Sequence, residues 1–370
     1  MIRKNILISL IFCVIIFIDN LYPQNIIEKQ DSAIVRIAIV NPGVGSIKTF
    51  DEFQKNGIIK IPKVEFVAVV YKKAQNQISA IEEMLKDTNY AHIELRVVDG
   101  ELDKQNLFYQ NDCSDDFADI LNSTDGILFL GGDDIYPSIY HEKTSFLTNT
   151  NNPYRHYFEL SFLYHLLGGF QNENYTPLLE QKPNYVIYGF CLGMQTMNVA
   201  TGGSLHQDIP TDIYGLKYVE DLIEIGKEYM HRNYYPNLYI DDGYSYPNLH
   251  QIKFLEDTKL LEELGFDNNY YPYVYSHHHQ AAKNVGKNFS VVATTLDGKV
   301  VEAIQNTKYK NVLGVQFHPE VSAIYFEDGK KYKIAPTDIE LFSYHQFMED
   351  NNSYEFHLKF WERFSKLFAE

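Results

Sequence analysis

Residues 184–206, NYVIYGFCLGMQTMNVATGGSLH, constrain this chain more than any other stretch. The apolar and aromatic residues from Tyr185 to Phe190 read as a buried strand. It runs into Gly189-Phe190-Cys191-Leu192-Gly193, and an amphipathic run of good helix formers follows at once. Gly-x-Cys-x-Gly between a strand and a helix is the sulfur version of a nucleophile elbow, whose glycines permit a sharp turn and close approach of other backbone. The thiol then sits at a helix N-terminus, where the dipole favours thiolate. A buried structural cysteine is the alternative, as for most free cysteines; the flanking glycines favour the elbow.

The rest of the chain supplies a matching frame. IVRIAIVN (34–41), VEFVAVVY (64–71), HIELRVVD (92–99) and GILFLGG (126–132) read as strands. AQNQISAIEEMLKD (74–87) and DDFADILNS (115–123) carry helical spacing. Alternation of this kind predicts an α/β fold, a mostly parallel central sheet flanked by helices. Ligand sites in such sheets lie beyond the strand C-termini, where Gly131-Gly132 and Cys191 fall. YEFHLKFWERFSKLF (354–368) spaces Phe356, Leu358, Phe360, Trp361, Phe364 and Leu367 as an amphipathic helix docking on the core. Residues 25–370 read as one domain, with loop insertions near 42–62, 138–154 and 211–249. The last is rich in Tyr, Asn and Asp, and its aromatic content argues for packed surface loops rather than disorder.

A second motif, VLGVQFHPE (312–320), is an apolar strand ending in His318-Pro319-Glu320. The residue before a proline is pushed to extended geometry, so His318 and Glu320 project to the same side, as i and i+2 do in a strand. The carboxylate then holds one imidazole nitrogen while the other faces a nucleophile, the logic of a catalytic triad with Cys in place of Ser.

The net charge of −17 argues against nucleic acid and anionic membrane surfaces as partners. Residues 1–24 read as an export signal. Arg3 and Lys4 precede an apolar run from Ile6 to Ile18 broken only by Ser9. That run is short for a membrane span, which needs roughly 20 residues, and suits a signal h-region. The expected location is periplasmic or secreted, or a lysosome-like lumen in a eukaryote, with no stable membrane span in the mature form. Cys13 is a poor match to a lipid-attachment site. Cys113, in the polar stretch QNDCSDD, reads as a lone thiol.

On GILFLGGDDIYP (126–137), YGFCLGMQTMNVATGGSLHQDI (188–209), SHHHQAAKNVG (276–286), DGKVVEAIQN (297–306) and GVQFHPE (314–320), the chain resembles the class I glutamine amidotransferase-like superfamily. Within it, the resemblance is to the gamma-glutamyl hydrolases, peptidase family C26, and most to the gamma-glutamyl-GABA hydrolase type. The resemblance implies a flavodoxin-like fold and a Cys191–His318–Glu320 triad, with an oxyanion hole from the backbone N–H groups of Gly132 and Leu192. It implies no cofactor, a small gamma-glutamyl substrate, and release of glutamate and an amine or peptide through a thioester. It assigns Gln195 to the glutamyl pocket, with an exposed helix glutamine as the alternative. Asp134, His278 and His279 fall on the substrate side. Arg155 and Glu159 match a pair expected to be structural.

His277, His278 and His279 also invite a metal reading. Three ligands from consecutive residues are awkward, and no Cys or acidic residue is spaced nearby as a further ligand, so no metal is expected there. A glutaminase subunit of an amidotransferase and a catalytically inactive gamma-glutamyl-binding protein remain as alternatives. The leaving group and the oligomeric state stay open, a homodimer among the options.

Overall fold

The computed structural model describes residues 34–239, 243–256 and 258–369. The export signal expected over residues 1–24 lies outside them. Along β1 (Val35–Val40), Ile37 and Ile39 face one side and Ala38 and Val40 the other, and all four are fully buried. A strand covered on both faces is apolar throughout, as parallel strands sandwiched between helices require. Ile37 and Ile39 belong to one core cluster and Ala38 and Val40 to another, so the sheet separates two cores.

Helix and strand alternate through the first half: α1 (Val44–Lys55), β2 (Val64–Tyr71), α2 (Gln75–Met84), β3 (Ile93–Val98), α3 (Ser114–Ser123), β4 (Gly126–Phe129), α4 (Pro153–Leu167), β5 (Val186–Phe190) and α5 (Leu192–Ala200). Shorter elements follow: β6 (Ser204–His206), α6 (Ile209–Asp212), α7 (Val219–Ile225), β7 (Asn248–Phe254), α8 (Leu260–Glu263), β8 (Tyr273–Ser276) and β9 (Ala281–Asn284). The chain closes with β10 (Phe289–Thr295), β11 (Val301–Asn306), β12 (Val312–Val315), α9 (Tyr344–Asp350) and α10 (Tyr354–Lys366).

Among the described residues, ten strands form one sheet in the order β3-β2-β1-β4-β5-β12-β11-β10-β7-β8. From β3 to β12 the pairings are parallel. From β12 to β8 they are antiparallel. The parallel half matches the sequence expectation; the antiparallel extension adds a wall beside it. Strands β4, β5 and β12 are neighbours, so the segments leaving their C-terminal ends emerge side by side.

The segment 42–62, read from sequence as a loop insertion, is mostly helix. Pro42-Gly43 precede α1 and Gly57, at φ +73°, follows it. These residues mark the ends of a helix, and Ile47, Phe50 and Phe53 form its buried face. Within 211–249, Leu222, Met230, Tyr234, Tyr235 and Tyr244 pack into a small core of their own with Ala335. Helix α10 docks as the spacing predicts. Phe356, Phe360, Trp361 and Phe364 are buried, and the Trp361 ring meets Phe50, Phe53 and Phe190 edge-on. Among the described residues no helix is long and apolar enough to cross a membrane.

Candidate active site

Cys191 sits between β5 and α5 at φ +51°, ψ −103°, a strained conformation for a residue with a side chain. Its surroundings hold it there. The Cys191 N–H donates to the Val315 carbonyl at 2.8 Å, and the Cys191 carbonyl accepts from the Gln195 N–H at 3.1 Å. Two glycines are required by close approach. A Cβ on Gly193 would lie 2.2 Å from the Phe129 carbonyl oxygen, and one on Gly189 would lie 2.7 Å from the Gly193 carbonyl carbon. Strand β4 therefore packs directly on the elbow.

His318 leaves the end of β12, its backbone N–H donating to the Tyr275 carbonyl at 2.9 Å. Its ring stands beside Cys191, both bordering Gly131, and its Nδ1 lies 2.8 Å from Glu320 Oε1. Burial acts to lower the His318 pKa, but the Glu320 carboxylate and Cys191 outweigh it and hold the imidazole well above its usual range. β12 itself stops at Val315, so the two side chains meet in a turn and not along a strand. The Pro319 carbonyl fixes that turn by accepting from the Tyr325 hydroxyl at 2.7 Å and from Trp361 Nε1 at 3.0 Å. Sequence reasoning placed Trp361 on the docking face of its helix and missed this polar role.

Leu192 opens α5, so its N–H is among the first-turn donors with no partner inside the helix. Gly132 is pressed against it: a Cβ there would come within 2.9 Å of Leu192 Cδ2 and 2.3 Å of Arg155 Nη1. Arg155 secures this turn, donating from Nη2 to the Gly131 carbonyl at 2.8 Å and from Nε to Glu159 Oε1 at 2.8 Å. Glu159 is fully buried and also accepts from Asn41 Nδ2 at 3.0 Å. The pair thus acts as a brace behind the glycine turn.

The expected substrate-side residues divide. Gln195 is buried, with its Nε2 3.3 Å from Gln316 Oε1, which excludes an exposed helix position. His279 bridges two carboxylates, Nε2 lying 3.1 Å from Asp134 and Nδ1 3.1 Å from Asp208. Burial lowers its pKa, but those two carboxylates raise it further, so the net shift is upward. His278 is turned away from this group into the protein interior, among His231, His250 and Glu302. The sequence places it on the substrate-side wall; alternation along the chain sends it to the opposite face from its neighbours. His277 is exposed and feels the charge of His318. Arg232 acts on both His277 and His279, which places a cation at this rim that no motif announced. Cys113 is free and fully buried despite its polar sequence context, and burial pushes its thiol up to about 12.

A thiol at a strained strand–helix turn, a histidine beside it and a carboxylate behind that histidine stand together beyond the parallel sheet, the arrangement that the sequence resemblance implies. Residues 106–320 match the peptidase C26 family, and the chain belongs to it. It is 30% identical to a glutamine amidotransferase-like protein of Lactococcus lactis over 56% of this chain and 71% of that one. It is 31% identical to another such protein of Rickettsia prowazekii, over 58% of this chain and 75% of that one. Its identity to the gamma-glutamyl-gamma-aminobutyrate hydrolase of Escherichia coli is 34%, over 36% of this chain and 45% of that enzyme.

Proposed function

We propose that the protein is a cysteine-dependent hydrolase that cleaves gamma-glutamyl amide bonds. The observation that carries this reading is the grouping of Cys191, His318 and Glu320, with His318 beside the thiol and bonded to the carboxylate and Cys191 strained at the head of α5. Cys191 Sγ attacks the amide carbon, and the carbonyl electrons move onto oxygen. The Gly132 and Leu192 N–H groups stabilise that oxyanion, a role worth ~10²–10³ in rate for one donor. His318 passes its proton to the departing amine as the C–N bond breaks, leaving a thioester on Cys191. His318 then takes a proton from water, the hydroxide adds to the thioester, and glutamate leaves as the thiolate re-forms. Glu320 fixes the imidazole and stabilises its cation without reacting itself.

A gamma linkage leaves the substrate's α-amino and α-carboxylate groups free. Asp134, beside the His279 bridge, suits the ammonium, and Arg232 suits the carboxylate. The similarity to the E. coli hydrolase supports this substrate class. The similarity to amidotransferase-like proteins favours a second reading, a glutaminase that passes ammonia to a partner. We also infer export, from the basic residues and apolar run within residues 1–24; the mass of the mature protein, recovered from outside the cytoplasm, tests it.

The deciding experiment incubates the purified protein with gamma-glutamyl amines, gamma-glutamyl peptides, their alpha-linked isomers and glutamine, and identifies products by mass spectrometry. Glutamate plus free amine from gamma-linked compounds only is the expected result. Equal cleavage of alpha- and gamma-linked compounds would refute the proposed specificity. Ammonia from glutamine alone would favour the second reading.

A further inference from the structure

Three histidines and one glutamate sit inside the antiparallel extension, and the chemistry above uses none of them. His250 lies on β7 and Glu302 on β11; His278 follows β8, and His231 belongs to the segment between α7 and β7. Their exposures are 2% for His231, 1% for His250, 4% for His278 and 0% for Glu302. One ligand-capable atom from each lies within 4.8 Å of the others. Glu302 Oε1 is 3.2 Å from His231 Nδ1, 3.6 Å from His250 Nε2 and 3.7 Å from His278 Nε2.

Six polar atoms of this group lack a hydrogen-bond partner: both ring nitrogens of His231, Nε2 of His250, Nε2 of His278 and both oxygens of Glu302. Native interiors leave only a few such atoms unpaired per hundred residues, and here six meet in one place. Protons alone do not resolve the group. A protonated Glu302 has one hydrogen to give, and three imidazoles face it. Two of those rings have their tautomer set from behind. His278 Nδ1 lies 2.9 Å from the Gln280 carbonyl and His250 Nδ1 lies 3.2 Å from the Gln251 carbonyl. A carbonyl only accepts, so each Nδ1 carries the hydrogen and each Nε2 turns a lone pair toward Glu302. Histidines that ligate metals are oriented in this way by their second nitrogen.

We propose that His231, His250, His278 and Glu302 bind one divalent transition-metal ion, zinc by preference, in a closed four-coordinate site. A tetrahedral ion with bonds of about 2.0–2.1 Å spaces its ligand atoms about 3.3 Å apart. The Glu302 separations of 3.2–3.7 Å fit that with small movements. Three imidazole nitrogens and one carboxylate oxygen suit zinc, whereas calcium and magnesium call for oxygen ligands. One ion would partner an atom from every residue and offset the Glu302 charge. A cavity of about 170 Å³, lined also by Tyr273 and Asp297, borders one member of the group, His250.

Four buried protein ligands leave no open position, so the ion serves position rather than reaction. Its ligands belong to the segments that build one wall of the thiol site. The His278 N–H and the Ser276 hydroxyl both donate to the His231 carbonyl, at 3.0 and 2.7 Å. The Glu302 carbonyl accepts from Gln316 N–H at 2.8 Å, two residues before His318. The site stands independently of the gamma-glutamyl reading.

The test is metal analysis of the full chain purified without chelators, followed by cobalt substitution. About one zinc per chain is expected. Cys191→Ser should retain it, because the thiol is not a ligand, while His250→Asn and Glu302→Gln should each lower retained zinc at least tenfold. After stripping by a chelator, Co²⁺ should give the intense visible absorption of a tetrahedral ion with no thiolate charge-transfer band. Zinc should restore the thermal midpoint lost on stripping. Should the variants fail to fold, the cobalt spectrum and the midpoint of the unaltered chain still decide. Protein that neither carries nor takes up zinc or cobalt would overturn the proposal. So would zinc lost in Cys191→Ser, zinc kept in a folded Glu302→Gln, or six-coordinate cobalt.

Discussion

The parallel half and the antiparallel extension of one sheet hold histidines shifted in opposite directions. His318, just past the end of β12, is shifted up by Glu320 and Cys191. His231, His250 and His278 are shifted down by burial. Both groups face a glutamate. The difference lies in how that glutamate is shared. Glu320 is committed to one ring at hydrogen-bond distance, 2.8 Å, with Cys191 on the ring's far side. Glu302 faces three rings at 3.2–3.7 Å and is itself pushed up to about 7 by its burial. A dedicated carboxylate offsets the cost of burying a cation; a shared one, itself desolvated, does not. The first arrangement favours a charged ring. The second favours neutral ones.

The largest expected effect follows from the first arrangement. Cys191→Ser and His318→Ala should each lower kcat by about 10⁴-fold or more while the fold persists, because the parts of such a unit work together. Glu320→Gln should be milder, since an amide still bonds to the ring yet stabilises no imidazolium. The Glu320→Gln, His318→Ala double variant should lose no more than His318→Ala alone. Losses that add in free energy would show the two residues acting independently, and the comparison would fail at its first term.

A smaller effect should come from Gly132→Ala. The added methyl would meet Arg155 Nη1 at 2.3 Å and Leu192 Cδ2 at 2.9 Å, so the turn must shift and its N–H with it. A loss of roughly 10²–10³ in kcat with a nearly unchanged KM is the expected signature of a misplaced oxyanion donor. An unchanged kcat would remove Gly132 from the site.

The two regions also differ in how well the sequence discloses them. The elbow at Cys191 and the His318-Pro319-Glu320 turn are local patterns, and the strands before them are continuous apolar runs; both survive in one dimension. The segment 42–62 was misread because Gly43 and Gly57 punctuate the ends of α1 rather than a loop. The four-residue group in the extension has no local pattern at all. Its members are scattered over residues 231–302 and meet only through antiparallel register and the loops beside it. His278 illustrates the difficulty. Three consecutive histidines suggest one site, yet the backbone sends the middle one to the other face. Trp361 shows the converse, an apolar-face residue whose ring N–H steadies the Pro319 carbonyl.

The smallest effect concerns stability and pH, away from both clusters. His156, His165 and His357 are almost wholly inaccessible, and burial pushes each down to about 4. Their pKa in the unfolded chain is near 6.5. Above that value neither state holds the proton, and stability is indifferent to pH. Between 6.5 and 4 the unfolded chain takes up protons that the native state refuses, so these residues make stability fall as pH falls. His318 has the opposite sign: its raised pKa favours the native state below 6.5, and that contribution fades as pH rises through its folded pKa. His357→Gln isolates one term. His357 Nε2 faces the Tyr273 carbonyl at 3.1 Å, and the glutamine amide supplies a donor of similar reach. Denaturant unfolding of the two proteins at pH 7 and pH 4 should show the variant losing less on acidification, by on the order of 3 kcal/mol. Parallel stability profiles would mean that His357 accepts a proton in the native state, and that burial alone does not keep a histidine neutral in this interior.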